Sequence, residues 1–185
     1  MSLFGDGLDT AVQKAFTRPA PKSAPAQMRY LVKQLKGTKP VAQMLRISQR
    51  TVERYVKDQI KKPRPDLAAR LEREVKKRWQ PQIRAKARQR AATTGGIVID
   101  TRARLGYVAP IGTTDEDRIR HLTVALPPRY AARLFDAQEQ GASDQQLQQI
   151  AADALKEVYF QDGGRRAGSL EEVHFTDIEH LEFDL

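Results

Sequence analysis

The sequence predicts an α+β protein: an all-helical N-terminal portion that includes a long basic helix, followed by a small α+β domain. Three observations predict it. From residue 27 to about residue 80, apolar residues recur at three- and four-residue spacing, which is the spacing of helices with one buried face. After Gly95-Gly96 the pattern changes to alternating, β-branched runs, which is the spacing of strands. The charge divides at nearly the same place, with a net +16 over residues 26–104 and a net −8 over residues 105–185, in a chain of 185 residues and formal charge +9.

Taken in order, residues 17–26 contain Pro19, Pro21 and Pro25 among small residues and read as an extended linker. Residues 8–16 before it form a short helix with Leu8, Val12 and Phe16 on one face. Leu31, Val32 and Leu35 then make a first apolar stripe, which Gly37 ends. Pro40 suits the first turn of a second helix, where its missing N–H costs nothing, and Val41, Ala42 and Leu45 form that helix's inner face. Ser48 caps a third helix, in which Val52, Tyr55, Val56 and Ile60 fall on one side. Gln49, Arg50, Glu53, Arg54 and Lys57 fall on the other.

A short helix, a tight turn at Arg46 to Ser48 and a polar-faced third helix make a helix-turn-helix, and the run from Val41 to Tyr55 resembles that family in detail. One departure is Arg46, where glycine is common. Gln49, Arg50 and Arg54 are the candidates to reach base edges in the major groove, Lys57 and Lys61 suit phosphates, and Ser48, Thr51 and Lys62 are further DNA-binding candidates. Pro63 and Pro65 end this segment. A long basic helix comes next, with Leu67, Leu71, Val75 and Trp79 on its apolar side and Lys76, Lys77 and Arg78 as further DNA-binding candidates. Pro81 kinks or divides it. Beyond that proline, Arg84, Lys86, Arg88 and Arg90 read as an arm that tracks a nucleic-acid backbone. A basic segment of this density binds polyanions by releasing counterions, and it lacks the aromatic, apolar face of a membrane-surface helix.

In the C-terminal half, residues 97–108 read as a strand or bent hairpin, and residues 122–126 as another strand. Pro127-Pro128 opens a helix carrying Tyr130, Leu134 and Phe135. Ser143 with Gln146 three residues later is a capping-box start for a second helix, with Leu147, Ile150, Leu155 and Val158 inside. Gly163-Gly164 marks a loop, and residues 173–175 and 180–185 add acidic strands. The domains expected are therefore an N-terminal segment with its proline-rich linker (1–26), a helix-turn-helix domain (27–62), a basic helical arm (63–94), and an α+β domain with an acidic C-terminus (95–185).

Little in the sequence supports independent catalysis. Absence of cysteine excludes disulfides, thiolate metal sites and a cysteine nucleophile. His121, His174 and His180 have no ligand-type spacing, so no metal site is expected. Gly163-Gly164-Arg165-Arg166 lacks the Lys-Ser/Thr that a phosphate-binding loop requires. In Gly112-Thr113-Thr114-Asp115-Glu116-Asp117, Thr114 reads by pattern as a helix N-cap, with the three acids complementing the helix dipole. The same hydroxyl is chemically equivalent to a primer 3′-hydroxyl, able to attack an α-phosphate if another protein supplies two metal ions.

Residues 3–16, the helix-turn-helix, Gly95-Gly-Ile-Val-Ile-Asp-Thr-Arg-Ala-Arg104 and Ala109-Pro-Ile-Gly-Thr-Thr114 together closely resemble the telomere terminal proteins of Streptomyces linear chromosomes and plasmids. The resemblance implies a protein that binds chromosome-end DNA, becomes covalently attached to the 5′ end and primes end-patching synthesis. It places the priming threonine at Thr114, with Thr113 as the alternative. It implies as partners the telomeric duplex and 3′ overhang, a telomere-associated recruiting protein, and a DNA polymerase that brings Mg²⁺. The chain itself then needs no cofactor, is the acceptor and not the enzyme, and works in the cytoplasm at chromosome ends. A helix-turn-helix regulator or partition protein with a dimerisation domain is the alternative in another class.

Overall fold

The computed structural model describes residues 2–108, 115–161 and 172–185. The fold is α+β: N-terminal helices precede a three-stranded antiparallel sheet with helices on one face. Two compact units make it up, residues 17–81 and residues 1–16 with 82–185. These limits differ from the sequence boundaries in two ways. The N-terminal helix belongs with the sheet, and the basic arm is shared, its first helix packing with the helix-turn-helix and most of its second lying in the sheet unit.

The helical unit contains α2 (Ala24–Gln34), α3 (Thr38–Leu45), α4 (Gln49–Val56) and α5 (Pro65–Arg78). Its core is Met28, Leu31, Val41, Leu45, Val52, Tyr55 and Leu71, all buried. Pro65 starts α5 at a position where a proline is pre-set for a helix. Trp79 ends it, with its indole N–H donating to the Arg18 carbonyl at 3.0 Å and its ring edge-on to Tyr30. The division expected at Pro81 falls just before it, where Gln80 adopts a positive φ of 46°.

The second unit begins with α1 (Leu3–Lys14), which starts five residues earlier than the sequence pattern indicates and leaves Phe16 outside the helix. Phe4, Leu8 and Val12 are buried there, and the Phe4 ring meets Phe175 edge-on at 5.8 Å. Helix α6 (Pro81–Arg90) runs through a π-type turn at Ala91–Gly95 into β1 (Ile97–Val108). Gly96 makes that junction, with φ 71° and a position where a Cβ would lie 2.3 Å from the Leu126 carbonyl oxygen. Glycine alone fits both conditions.

Strand β1 is one continuous strand, not a bent hairpin. It pairs with β2 (Asp115–Leu126) and with β3 (Glu172–Asp184), giving the order β2-β1-β3. Between β2 and β3 come α7 (Pro128–Glu139) and α8 (Asp144–Leu155), and the expected capping box of Ser143 and Gln146 is formed at the start of α8. Alternation decides the faces. Ile97, Ile99, Thr101, Ala103 and Leu105 point into the core with Leu134, Phe135, Leu147 and Leu155, while Asp100, Arg102 and Arg104 lie on the open face. The expected Gly163-Gly164 loop lies outside the described residues.

Candidate nucleic-acid interface

The turn between α3 and α4 sets the geometry of the candidate interface. Arg46 ends α3 in the left-handed conformation, φ 53° and ψ 49°, and the Ile47 N–H reaches back to the Ala42 carbonyl at 3.0 Å. This is the six-to-one closure usually made by glycine. The same closure ends α2 at Lys36, with Gly37 N–H on Val32, and α4 at Asp58, with Gln59 N–H on Arg54. Arg46 therefore does carry the strained conformation that its place in the motif foretells, and the hydrogen bonds around it hold it there.

Two arginines not anticipated from the sequence brace the ends of α3 and α4. Arg70 on α5 donates to the last carbonyl of α3, Leu45, at 2.9 Å, and is itself oriented by Asp66 at 2.9 Å. Arg29 on α2 donates to the Val56 carbonyl at the end of α4 and pairs with Asp58 at 2.8 Å. Each closes a carbonyl orphaned at a helix end. The i,i+4 spacing of Asp66 and Arg70 was a legible signal, whereas the contacts with Leu45 and Val56 depend on the tertiary fold.

Ser48 caps α4, its hydroxyl accepting the Thr51 N–H at 3.1 Å and lying 2.8 Å from the Thr51 hydroxyl. Val52 and Tyr55 face inward, and burial pushes the Tyr55 phenol above its ordinary pKa. Gln49, Arg50, Arg54 and Lys57 are exposed, as are Lys61 and Lys62 just beyond. The arrangement offers long donors on one helix face, with flexible ammonium groups at its C-terminal side.

The α5 candidates are placed differently from one another. Lys77 is exposed, Lys76 pairs with Glu72 at 2.8 Å, and Arg78 is half-buried against the Glu74 carboxylate. On α6, two of the cations read as a backbone-tracking arm are instead paired within the fold. Arg84 pairs with Asp9 of α1 at 2.7 Å, and Arg88 with Glu139 of α7, both arginine side chains being less than one-fifth exposed. The acids lie far away in sequence, so a local charge count could not reveal them.

Thr113 and Thr114 lie outside the described residues. The helix N-cap expected of this stretch is corrected by the secondary structure of its acids: Asp115, Glu116 and Asp117 begin β2, with Asp115 opposite Tyr107, and so open a strand in place of a helix. The run from Arg118 to Leu126 has a complete partner in β1, and pairing along it extends the strand back to Asp115. Gly106 allows this approach, because a Cβ there would meet the Asp117 backbone at 2.9 Å.

Strand register also assembles histidines that the sequence leaves apart. His121 and His180 both approach Asp100 Oδ1, at 3.3 and 3.0 Å, and His174 approaches Asp117 at 3.3 Å. A hydrogen bond from the Thr123 hydroxyl outweighs partial burial and, with the two histidines, holds the Asp100 carboxyl below its ordinary range. Among the described residues no group of histidines and carboxylates has an arrangement that could hold a metal ion. Nor is any helix among them long and apolar enough to cross a membrane. No family model, curated protein or solved structure matches the chain.

Proposed function

We propose that this chain is a DNA-binding protein primer of the telomere terminal protein type. The observation that supports the reading is the exposed face of the capped helix α4, which offers Gln49, Arg50, Arg54 and Lys57 on a braced helix-turn-helix. That unit binds terminal duplex DNA, while a telomere-associated protein recruits the chain to the 3′ overhang. The hydroxyl of Thr114, in the stretch joining β1 to β2, is the acceptor. In the transfer step the Thr114 oxygen forms a bond to the α-phosphorus of a deoxynucleoside triphosphate. The bond to the β-phosphate oxygen breaks, pyrophosphate leaves, and the hydroxyl proton passes to a base or water in the polymerase. The polymerase and its Mg²⁺ supply the catalysis.

The test is to incubate the protein with host extract, telomeric template, Mg²⁺ and labelled deoxynucleotides, then measure label that survives denaturation. Wild type and Thr113→Ala are expected to be labelled and Thr114→Ala not. Equal labelling of Thr114→Ala overturns the acceptor assignment.

A second reading, a dimerising DNA-binding regulator or partition protein, is favoured by the outer strands β2 and β3. They are 12 and 13 residues long and among the described residues each has one neighbour in the sheet, which leaves edges able to pair with another chain. Such a protein runs free of DNA in a denaturing gel, whereas a terminal protein from chromosome ends does so only after nuclease treatment.

A further inference from the structure

Glu53 is the acid on the polar side of α4, half-buried between the exposed Arg50, Arg54 and Lys57. A carboxylate at that place repels a polyanion, so it weakens binding unless it receives a hydrogen bond from the DNA. Lys57, four residues on, occupies the most favourable position for a helical ion pair with it. Yet the contact that Glu53 makes is with a neutral amide: Gln49 Nε2 donates to Glu53 Oε1 at 3.0 Å. Gln49 thus fixes the carboxylate while leaving it negatively charged and its second oxygen available as an acceptor.

Major-groove edges offer two kinds of amino donor, cytosine N4 and adenine N6. On adenine the donor adjoins the N7 acceptor, which repels a carboxylate. On a C·G pair the cytosine donor stands beside guanine O6 and N7, which are the acceptors an arginine takes. An acceptor at position 53 with arginines at positions 50 and 54 reproduces the complement of that edge. We infer that Glu53, positioned by Gln49, reads a cytosine N4 amino group in the major groove and makes this helix selective for a C·G pair at one position of its site. The inference rests on the DNA-binding reading of α4 and extends it from affinity to sequence.

The experiment is selection from a randomised duplex pool with the full chain, then titration of the selected duplex and of its single-position variants. Wild type is expected to require cytosine at one position, with a loss of about tenfold for other bases. Glu53→Gln should move that preference toward adenine, which glutamine contacts through N6 and N7. Glu53→Ala should bind all four variants alike, and Gln49→Ala should weaken the preference. Circular dichroism melts of these surface variants establish that they are folded. If Glu53→Ala keeps the wild-type base preference while Arg50→Ala and Arg54→Ala weaken binding, the inference is overturned and the DNA-binding reading stands. If wild type shows no salt-dependent duplex binding, both fall.

Discussion

Asp144, the first residue of α8, accepts the backbone N–H of Phe4 at 2.9 Å through Oδ1, so the start of one helix caps the start of another 140 residues away. The same carboxylate accepts from Leu3 N–H at 2.8 Å and from the Ser2 hydroxyl at 2.7 Å. Burial pushes this carboxyl up, but the hydrogen bonds from Ser2, Gly5, Leu3 and Phe4 outweigh it, and its pKa lies below the ordinary aspartate value. A depressed folded pKa stabilises the fold fully above the unfolded value, about 3.9, and the contribution is lost as pH falls through the lower folded value. Asp144→Ala is therefore expected to cost about 1–2 kcal/mol at neutral pH. Its difference from wild type in urea melts should shrink in acid; a difference constant from pH 7 to below the folded value would rule out the cap.

Arg46→Gly is expected to stabilise the helical unit. Left-handed geometry costs a non-glycine residue about 1–2 kcal/mol, and the added freedom of glycine in the unfolded chain returns part of it. A net gain of about 0.5–1 kcal/mol should appear as a higher urea midpoint with unchanged slope. No gain would mean that the contacts of the Arg46 side chain compensate the backbone.

Gly96→Ala tests the opposite case. The positive φ and the 2.3 Å approach to the Leu126 carbonyl leave no room for a methyl group, so the backbone between α6 and β1 must shift. Destabilisation of more than about 1 kcal/mol is expected. A wild-type melting curve would show that this junction is not held as described.

What the sequence made legible was local. The stripe of Val52 and Tyr55, the Ser48 cap and the Ser143 and Gln146 capping box arise from residues within a turn or two of each other. The early start of α1 was hidden because Gly5 and Gly7 are poor helix formers and the compensating cap, Asp144, is distant. At Gly7 the reason is packing, since a Cβ would stand 3.1 Å from the Phe183 ring. Asp9 and Glu139 beneath α6, and Asp100 between His121 and His180, likewise arise from register and docking. The polar face of α4 was read directly from periodicity; the bracing of the helix ends by Arg29 and Arg70 was not, because both act on carbonyls that only the folded chain brings to them.

The roles assigned within the basic surface make separate predictions for salt and for sequence. Each phosphate contact contributes about 0.9 to the slope of log affinity against log salt. Lys57→Ala with Lys61→Ala should therefore lower that slope by about 1.8 and weaken all duplexes alike. Arg50→Ala with Arg54→Ala should weaken a selected duplex more than a random one, because a base contact adds about 1–3 kcal/mol of discrimination. Arg78 is tied to the largely buried Glu74 carboxylate, which loses that partner in Arg78→Ala, so this variant should lower stability and leave the slope nearly unchanged. Fluorescence anisotropy titrations on both duplexes over a range of salt measure all three. Equal loss on selected and random DNA for the Arg50 and Arg54 pair would place those arginines on phosphates and remove α4 as the reading element.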